Sequence, residues 1–64
     1  MTQLLVTYKD GHEEHFYCVT NLNRFNGILS FTYVLKGTVR SITIDCRIRM
    51  DEVRKFEVWE DNVD

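Results

Sequence analysis

The chain has 64 residues, a hydrophobic content of 44% and a formal net charge of −2 from eight basic and ten acidic residues. This composition excludes a largely disordered chain, and it argues against a general nucleic-acid binder, which needs an excess of basic residues. A chain of this length forms one domain, residues 1–64, with a thin core, so a second subunit is an expected source of added stability.

The two cysteines, Cys18 and Cys46, are too few for a disulfide framework, and each lies in an apolar run where a free thiol acts as a small hydrophobic group. The first residues have no basic segment of the kind that begins a signal peptide. No apolar run approaches membrane length. We therefore expect a cytosolic protein with no membrane span and no cofactor.

A first hairpin is predicted around Asp10-Gly11, between strands over residues 3–9 and 12–19. A two-residue loop would pair Leu4 with Tyr17. The predicted core face then carries Leu4, Val6, Tyr8, Tyr17 and Val19. The opposite face would carry an apolar patch that a symmetric partner could cover, formed by Leu5, Phe16 and Cys18.

Residues 20–27 read as an irregular loop, because three of them are asparagines that favour turns. Leu22 and Phe25 are spaced as anchors that would place this loop, or a single helical turn, beneath the sheet. Asn26-Gly27 ends the loop before the third strand.

A second hairpin covers residues 28–50 and turns at Lys36-Gly37 or Gly37-Thr38. Either two-residue loop places two apolar stripes on the same face. The stripes are Leu29, Phe31, Tyr33 and Leu35 on one arm, and Ile42, Ile44, Cys46, Ile48 and Met50 on the other. The second arm, residues 38–49, is long for a small domain, and we expect it to bend.

The alternation breaks over residues 50–54, where Met50, Val53 and Phe56 are spaced by three, as in one turn of 3₁₀ helix. Residues 55–60 then form a short last strand with Phe56 and Val58 inward and Trp59 outward. Residues 61–64 are expected to be a frayed acidic tail.

This order predicts an all-β fold, a five-stranded antiparallel sheet with one 3₁₀ turn before the last strand. The layout looks like that of small Sm-like or Src-homology-3-like barrels, in which the sheet curls on itself. The competing architecture is an open five-stranded meander.

Catalytic and metal chemistry are not expected. His12 and His15 stand three apart on a strand, so they face opposite sides and cannot share one metal ion. Burial of Cys46 in its apolar stripe would make that thiol inert, and Cys18 faces away from His15.

Two surfaces could bind a partner. Trp59 with Glu57, Glu60 and Asp61 resembles an interface anchor with an acidic rim, although Trp59 could equally close one end of a barrel. Arg47 and Arg49 place two cations on one face of the long strand, as in small barrels that bind single-stranded nucleic acid. A solvated sheet face is the simpler interpretation of these arginines, because Phe31 and Tyr33 lie on the opposite face.

The chain resembles small all-β proteins of phages and prophages in its opening hairpin with Tyr8-Lys9-Asp10-Gly11. Its closing segment, with Asp51-Glu52-Val53-Arg54 before residues 56–60, is similar to theirs too. This likeness of style implies an accessory protein that binds and modulates a host or phage protein, often as a dimer. No site residue follows from it.

The sequence therefore predicts a non-enzymatic protein–protein interaction module that forms a homodimer. Its candidate surfaces are the Leu5, Phe16 and Cys18 patch and the edge at Trp59. The alternative function is a single-stranded nucleic-acid-binding module that uses Arg47 and Arg49. The identity of the partner does not follow from the residues.

Overall fold

A computed structural model describes residues 1–61 of the chain as two three-stranded antiparallel sheets. The first sheet has the order β2-β1-β6, and the second has the order β3-β4-β5. The strands are β1 (Thr2–Tyr8), β2 (Glu13–Phe16), β3 (Thr20–Phe25), β4 (Ile28–Lys36), β5 (Ser41–Arg49) and β6 (Val53–Glu60). A 3₁₀ helix, Met50–Glu52, joins β5 to β6.

The all-β prediction is confirmed, but the five-stranded sheet is wrong, and residues 1–61 form no closed barrel. The segment between β2 and β3 contacts both sheets instead. The Val19 amide donates to the carbonyl of Thr2 (2.9 Å), and the Tyr17 carbonyl accepts from the amide of Val34 (3.3 Å). The chain thus changes sheet at this corner, where Cys18 adopts a positive φ of 53°.

The first hairpin turns through three residues rather than two. The amide of Tyr8 donates to the carbonyl of His12 (2.9 Å), and Gly11 has a φ of 99°. A left-handed glycine at the third position is typical of three-residue hairpin loops. Leu4 therefore pairs with Phe16, not with Tyr17. This shift by one residue exchanges the two faces of β2.

Residues 20–25 form strand β3, so the predicted loop is wrong. Asn26 and Gly27 both have positive φ, 53° and 74°, and the flanking Phe25 and Ile28 are paired. Two left-handed residues define the tight hairpin turn that Asn-Gly favours. The predicted anchors Leu22 and Phe25 are exposed, and the Phe25 side chain is 69% accessible.

The second hairpin keeps the predicted face assignment, although residues 37–40 separate its strands. Phe31 pairs with Cys46 and Leu35 with Ile42. This register differs from the predicted ones by an even number of residues, so the two stripes still share one face. The core lies against the end of the hairpin that joins the 3₁₀ helix, whereas Leu35 and Ile42 at the other end are exposed.

The core fills the space between the sheets. Phe16 packs edge-to-face on Phe31 and Tyr33, with ring centroids 4.8 and 4.9 Å apart. Its buried apolar members are Leu4, Val6, Tyr8, Phe16, Val19, Leu29, Phe31, Ile48 and Val53.

The 3₁₀ turn after β5 is confirmed. The last strand begins at Val53, two residues before the predicted start, and pairs with β1 along its length. Of the predicted tail, residues 61–64, only Asp61 belongs to the described part of the chain. Asp61 itself is not frayed, because its amide donates to the carbonyl of Met1 (2.8 Å).

Candidate interaction site

Trp59 projects from the outer face of the first sheet. Its neighbour Val58 pairs with the fully buried Leu4, and Trp59 pairs with Gln3. Because successive side chains alternate, Trp59 lies on the face away from the core, as the sequence predicts. Trp59 is 37% exposed, and Val58, which the sequence predicts to point inward, is itself 43% exposed and lies outside the buried core.

Three aromatic rings cross this face side by side and form an aromatic row: Tyr17, His15 and Trp59. His15 stacks on Tyr17 with ring centroids 4.3 Å apart, and its other neighbour is Trp59 at 5.4 Å. Leu5 lies on the same face, opposite both His15 and Glu57. The row therefore offers a ring surface continuous with an apolar side chain.

A chain of hydrogen bonds holds two members of the aromatic row, His15 and Tyr17, in place. The Gln3 amide nitrogen donates to the Asp61 carboxylate (2.7 Å), so its carbonyl oxygen faces His15 and accepts from Nε2 (2.8 Å). The Tyr17 hydroxyl lies 3.3 Å from Nδ1 of the same ring. Gln3 is buried, which makes these bonds a fixed support beneath the rings.

Acidic side chains border the aromatic row beside Trp59. Glu57 shares the outer face with Trp59 and lies 3.5 Å from the Lys55 ammonium, and the Asp61 carboxylate accepts from the Gln3 amide (2.7 Å). Glu60 alternates to the opposite face, where it accepts from the Thr2 hydroxyl (2.7 Å), so the predicted acidic rim contains Glu57 and Asp61 but not Glu60. Glu57 is more than half exposed, so solvent screens its contact with Lys55 strongly.

The predicted patch of Leu5, Phe16 and Cys18 does not form. Phe16 is only 6% exposed and belongs to the core, because of the three-residue turn. Cys18 lies at the corner between the sheets, with its thiol 3.5 Å from the Met1 sulfur. Leu5 alone stays on the outer face, where it adjoins the aromatic row.

Arg47 and Arg49 lie on the outer face of the second sheet, opposite Ser30 and Ile28. The guanidinium of Arg49 donates to Asp51 (2.7 Å), so part of its charge is neutralised locally. The exposed Phe25 pairs with Ile28 and shares this face. Sequence reasoning missed this aromatic neighbour, although the Asn26-Gly27 turn could have indicated it.

The two histidines do not meet. His12 stacks on Tyr8 at the first turn, with ring centroids 4.2 Å apart. Hydrogen bonds from the backbone and ring of His12 lower the pKa of Asp10. Among residues 1–61, no group of three or more His, Cys, Asp or Glu side chains is placed to hold a metal ion.

Tyr8, Glu14 and Cys46 adjoin at the open side of the core. The Tyr8 hydroxyl donates to Glu14 (2.7 Å). Burial raises the pKa of Tyr8, and the bond to Glu14 raises it further. Burial also raises the pKa of the Cys46 thiol, with a smaller contribution from the Glu14 charge. The thiol form is unreactive, so this cluster has the character of a structural contact.

Comparison with known proteins gives no match to a family model, to a curated protein or to a solved structure. Across residues 1–61, no helix has both the length and the apolar character needed to cross a membrane.

Proposed function

We propose that this protein is a non-enzymatic interaction module that binds another protein through the aromatic row. The observation that carries the proposal is the fixed, partly exposed row of Trp59, His15 and Tyr17 on one sheet face. Aromatic residues on a rigid support are the usual anchors of protein interfaces. The resemblance to phage and prophage proteins supports an accessory role in which the bound protein is modulated.

The side chains around the aromatic row support binding rather than catalysis. The His15 ring is already engaged by Gln3 and lies close to the Tyr17 hydroxyl, and among residues 1–61 no serine, threonine or cysteine side chain joins this chain of bonds. The Cys18 thiol lies against Met1. An arrangement for acid–base or nucleophilic chemistry would need a reactive group within reach of His15.

The chemistry of the row points to a cationic ligand. Trp59 and Tyr17 are both partly exposed, and exposed aromatic rings attract ammonium and guanidinium groups. The carboxylates of Glu57 and Asp61 lie on the same face as the row. The partner we propose is therefore a protein segment that carries a lysine or arginine beside an apolar residue.

Replacing Trp59 with alanine should leave the fold intact and weaken such binding by about tenfold or more, the usual effect of removing an interface anchor. Ligands would be selected from a random peptide display library, and the affinity of synthetic copies measured by calorimetry. The matched control is Phe25→Ala, which removes an exposed ring from the other sheet.

The proposal requires that the enriched peptides contain lysine or arginine and that Phe25→Ala binds them as the wild type does. A library that yields no ligand, or ligands that bind the Trp59→Ala variant equally well, would contradict it. Unfolding of Trp59→Ala in circular dichroism would make Trp59 a structural residue and remove the anchor.

A second candidate function is binding of single-stranded nucleic acid on the outer face of the second sheet. The observation that favours it is Phe25, which shares that face with Arg47 and Arg49. Stacking of bases on an exposed ring beside arginines is how such modules bind. The local acidic groups Asp45 and Asp51, together with the net charge of −2, oppose it.

Fluorescence anisotropy with labelled single-stranded oligonucleotides tests this second function. Binding should fall steeply with salt, and it should be lost in Arg47→Ala and reduced in Phe25→Ala. Trp59→Ala serves here as the control that leaves the face unchanged. Absence of binding at low salt would exclude nucleic acid as the ligand of this face.

A further inference from the structure

Strand β5 has an unpaired edge. It lies at one edge of the second sheet, next to β4, and within residues 1–61 no strand pairs with its other edge. It has nine residues, longer than any of the other strands that end a sheet. A long edge strand with free backbone groups is a template for pairing with another chain.

The backbone groups available at this edge belong to the odd-numbered residues of β5. The Met50 amide donates to Gly27 across the hairpin (2.8 Å), and the Arg40 carbonyl accepts from Gly37 (3.0 Å). Even-numbered residues therefore direct their backbone groups toward β4. Because this direction alternates along a strand, Thr43, Asp45 and Arg47 direct theirs outward.

We infer that two copies of this chain pair through their β5 strands, antiparallel, about a two-fold axis at Cys46. In this register Asp45 lies opposite Arg47 of the second copy, and the symmetry repeats that contact. Opposite charges directly across a strand pair are stabilising. The structure thus assigns the β5 edge to a homodimer, an interface separate from the aromatic row.

Neighbouring registers are less favourable. An axis at Asp45 would place two copies of that carboxylate opposite each other, and an axis at Arg47 would do the same with two guanidinium groups. Like charges in directly opposed positions are destabilising. Within residues 1–61, neither Asp45 nor Arg47 forms a salt bridge in the monomer, so both charges are available for an intermolecular contact.

The apolar stripe of the second hairpin favours the same register. Ile44 would lie opposite Ile48 of the second copy, and Ile42 opposite its Met50. Ile42 is 50% exposed in the monomer, beside the 54% exposed Leu35. Pairing through β5 extends this stripe across two sheets and removes apolar surface from water, which a small domain needs.

Strand β6 is the competing edge, since it ends the first sheet. It carries four charged residues among eight, Arg54, Lys55, Glu57 and Glu60, and such charges protect an edge against pairing. Its Lys55 and Glu57 already contact each other at 3.5 Å. A β6 pair with its axis at Phe56 would also set Lys55 opposite Glu57, but these two side chains already have each other as partners. Within residues 1–61, by contrast, Asp45 and Arg47 have no salt-bridge partner, and they gain one in the β5 dimer.

A charge exchange tests the inference. Sedimentation equilibrium of the whole chain should show a dimer whose dissociation constant rises at least about tenfold in Asp45→Arg and in Arg47→Asp, since like charges then oppose each other. The double variant Asp45→Arg/Arg47→Asp should restore the wild-type constant. Glu57→Lys, on the β6 edge, is the control and should leave it unchanged.

A second measurement reports the register. In a Cys18→Ser background, the Cys46 thiols of the two copies would face each other as a non-hydrogen-bonded pair, with Cα atoms about 4.5 Å apart. At alkaline pH, which ionises these thiols despite their raised pKa, diamide accepts two electrons and two protons from the pair and should then produce a covalent dimer. Cys18→Ser/Cys46→Ser should stay monomeric in denaturing gels.

A monomer at every concentration would overturn the inference, as would a dimer that is insensitive to both single charge reversals. Disruption by Glu57→Lys alone would assign the dimer to β6 instead. Failure of the double variant to recover, or absence of the Cys46 disulfide in a dimeric sample, would overturn the register.

Discussion

Replacing Phe31 with alanine is expected to lower the free energy of unfolding by about 3–5 kcal/mol, the usual cost of removing a buried phenyl ring. Phe31 is 3% exposed and contacts Phe16 edge-to-face, so its removal leaves a cavity between the two sheets. A domain of this length has a total stability of roughly 3–10 kcal/mol. If the wild-type stability lies at the lower end of this range, most molecules of the variant should be unfolded at room temperature; at the upper end the variant should stay folded with about half of its stability.

Urea unfolding followed by far-ultraviolet circular dichroism measures the effect. Phe25→Ala is the matched control, because it removes the same ring from a side chain that is 69% exposed. We expect that control to unfold within about 0.5 kcal/mol of the wild type. Phe31→Leu is a smaller change and should lower the free energy of unfolding by an intermediate amount. It can be measured in place of the alanine variant if that variant does not fold. Equal stability of Phe31→Ala and the wild type would refute the assigned core face.

The core role of Phe31 follows from the sequence because the face of a strand residue depends only on whether the register shift is even or odd. Its stripe and the stripe of β5 share a face for any loop that changes the register by an even number of residues. The loop is longer than predicted, yet the pairing of Phe31 with Cys46 leaves both on the core face. The face assignment does not, however, determine how deeply each residue of the stripe is buried. Leu35 and Ile42 belong to the same stripe and stay exposed, because the first sheet does not cover that end.

The backbone preferences of asparagine explain why residues 20–27 were predicted to be a loop, although residues 20–25 form strand β3. Asparagines at positions 21, 23 and 26 suggest an irregular segment, but only Asn21 and Asn26 adopt left-handed conformations. Asn26-Gly27 forms a tight turn, while Asn21 lies where the pairing of β3 with β4 is irregular. A residue type that favours turns does not show which of its copies makes one.

The candidate site was predictable only in part. The outward direction of Trp59 follows from the alternation of β6, which pairs regularly with β1 from Lys55 to Glu60; the one register shift lies at the Val53 end. The row that Trp59 forms with His15 and Tyr17 was not predictable from the assumed first hairpin. That hairpin placed His15 and Tyr17 on the core face and Phe16 outside. Trp59 was predicted to point outward, so it was assigned to a different face from the other two rings.

The first turn therefore determines both the core and the site. A two-residue loop at Asp10-Gly11 and the observed three-residue loop differ by one position, which reverses every side chain of β2. Two effects favour the longer loop. Gly11 supplies the left-handed conformation that this loop requires, and Phe16 gains the contacts with Phe31 and Tyr33.

Phe16→Ala and Tyr17→Ala together test this register. With the three-residue loop, Phe16→Ala should cost about 3–5 kcal/mol of unfolding free energy, because its ring lies between the sheets. Tyr17→Ala should cost less than about 1 kcal/mol, since its ring is 47% exposed and stacks only at the surface. Urea unfolding of both variants measures the difference. The two-residue loop requires the opposite order, with the larger loss of unfolding free energy in Tyr17→Ala. The ranking of these two losses therefore decides which face of β2 contributes to the core and which carries the aromatic row.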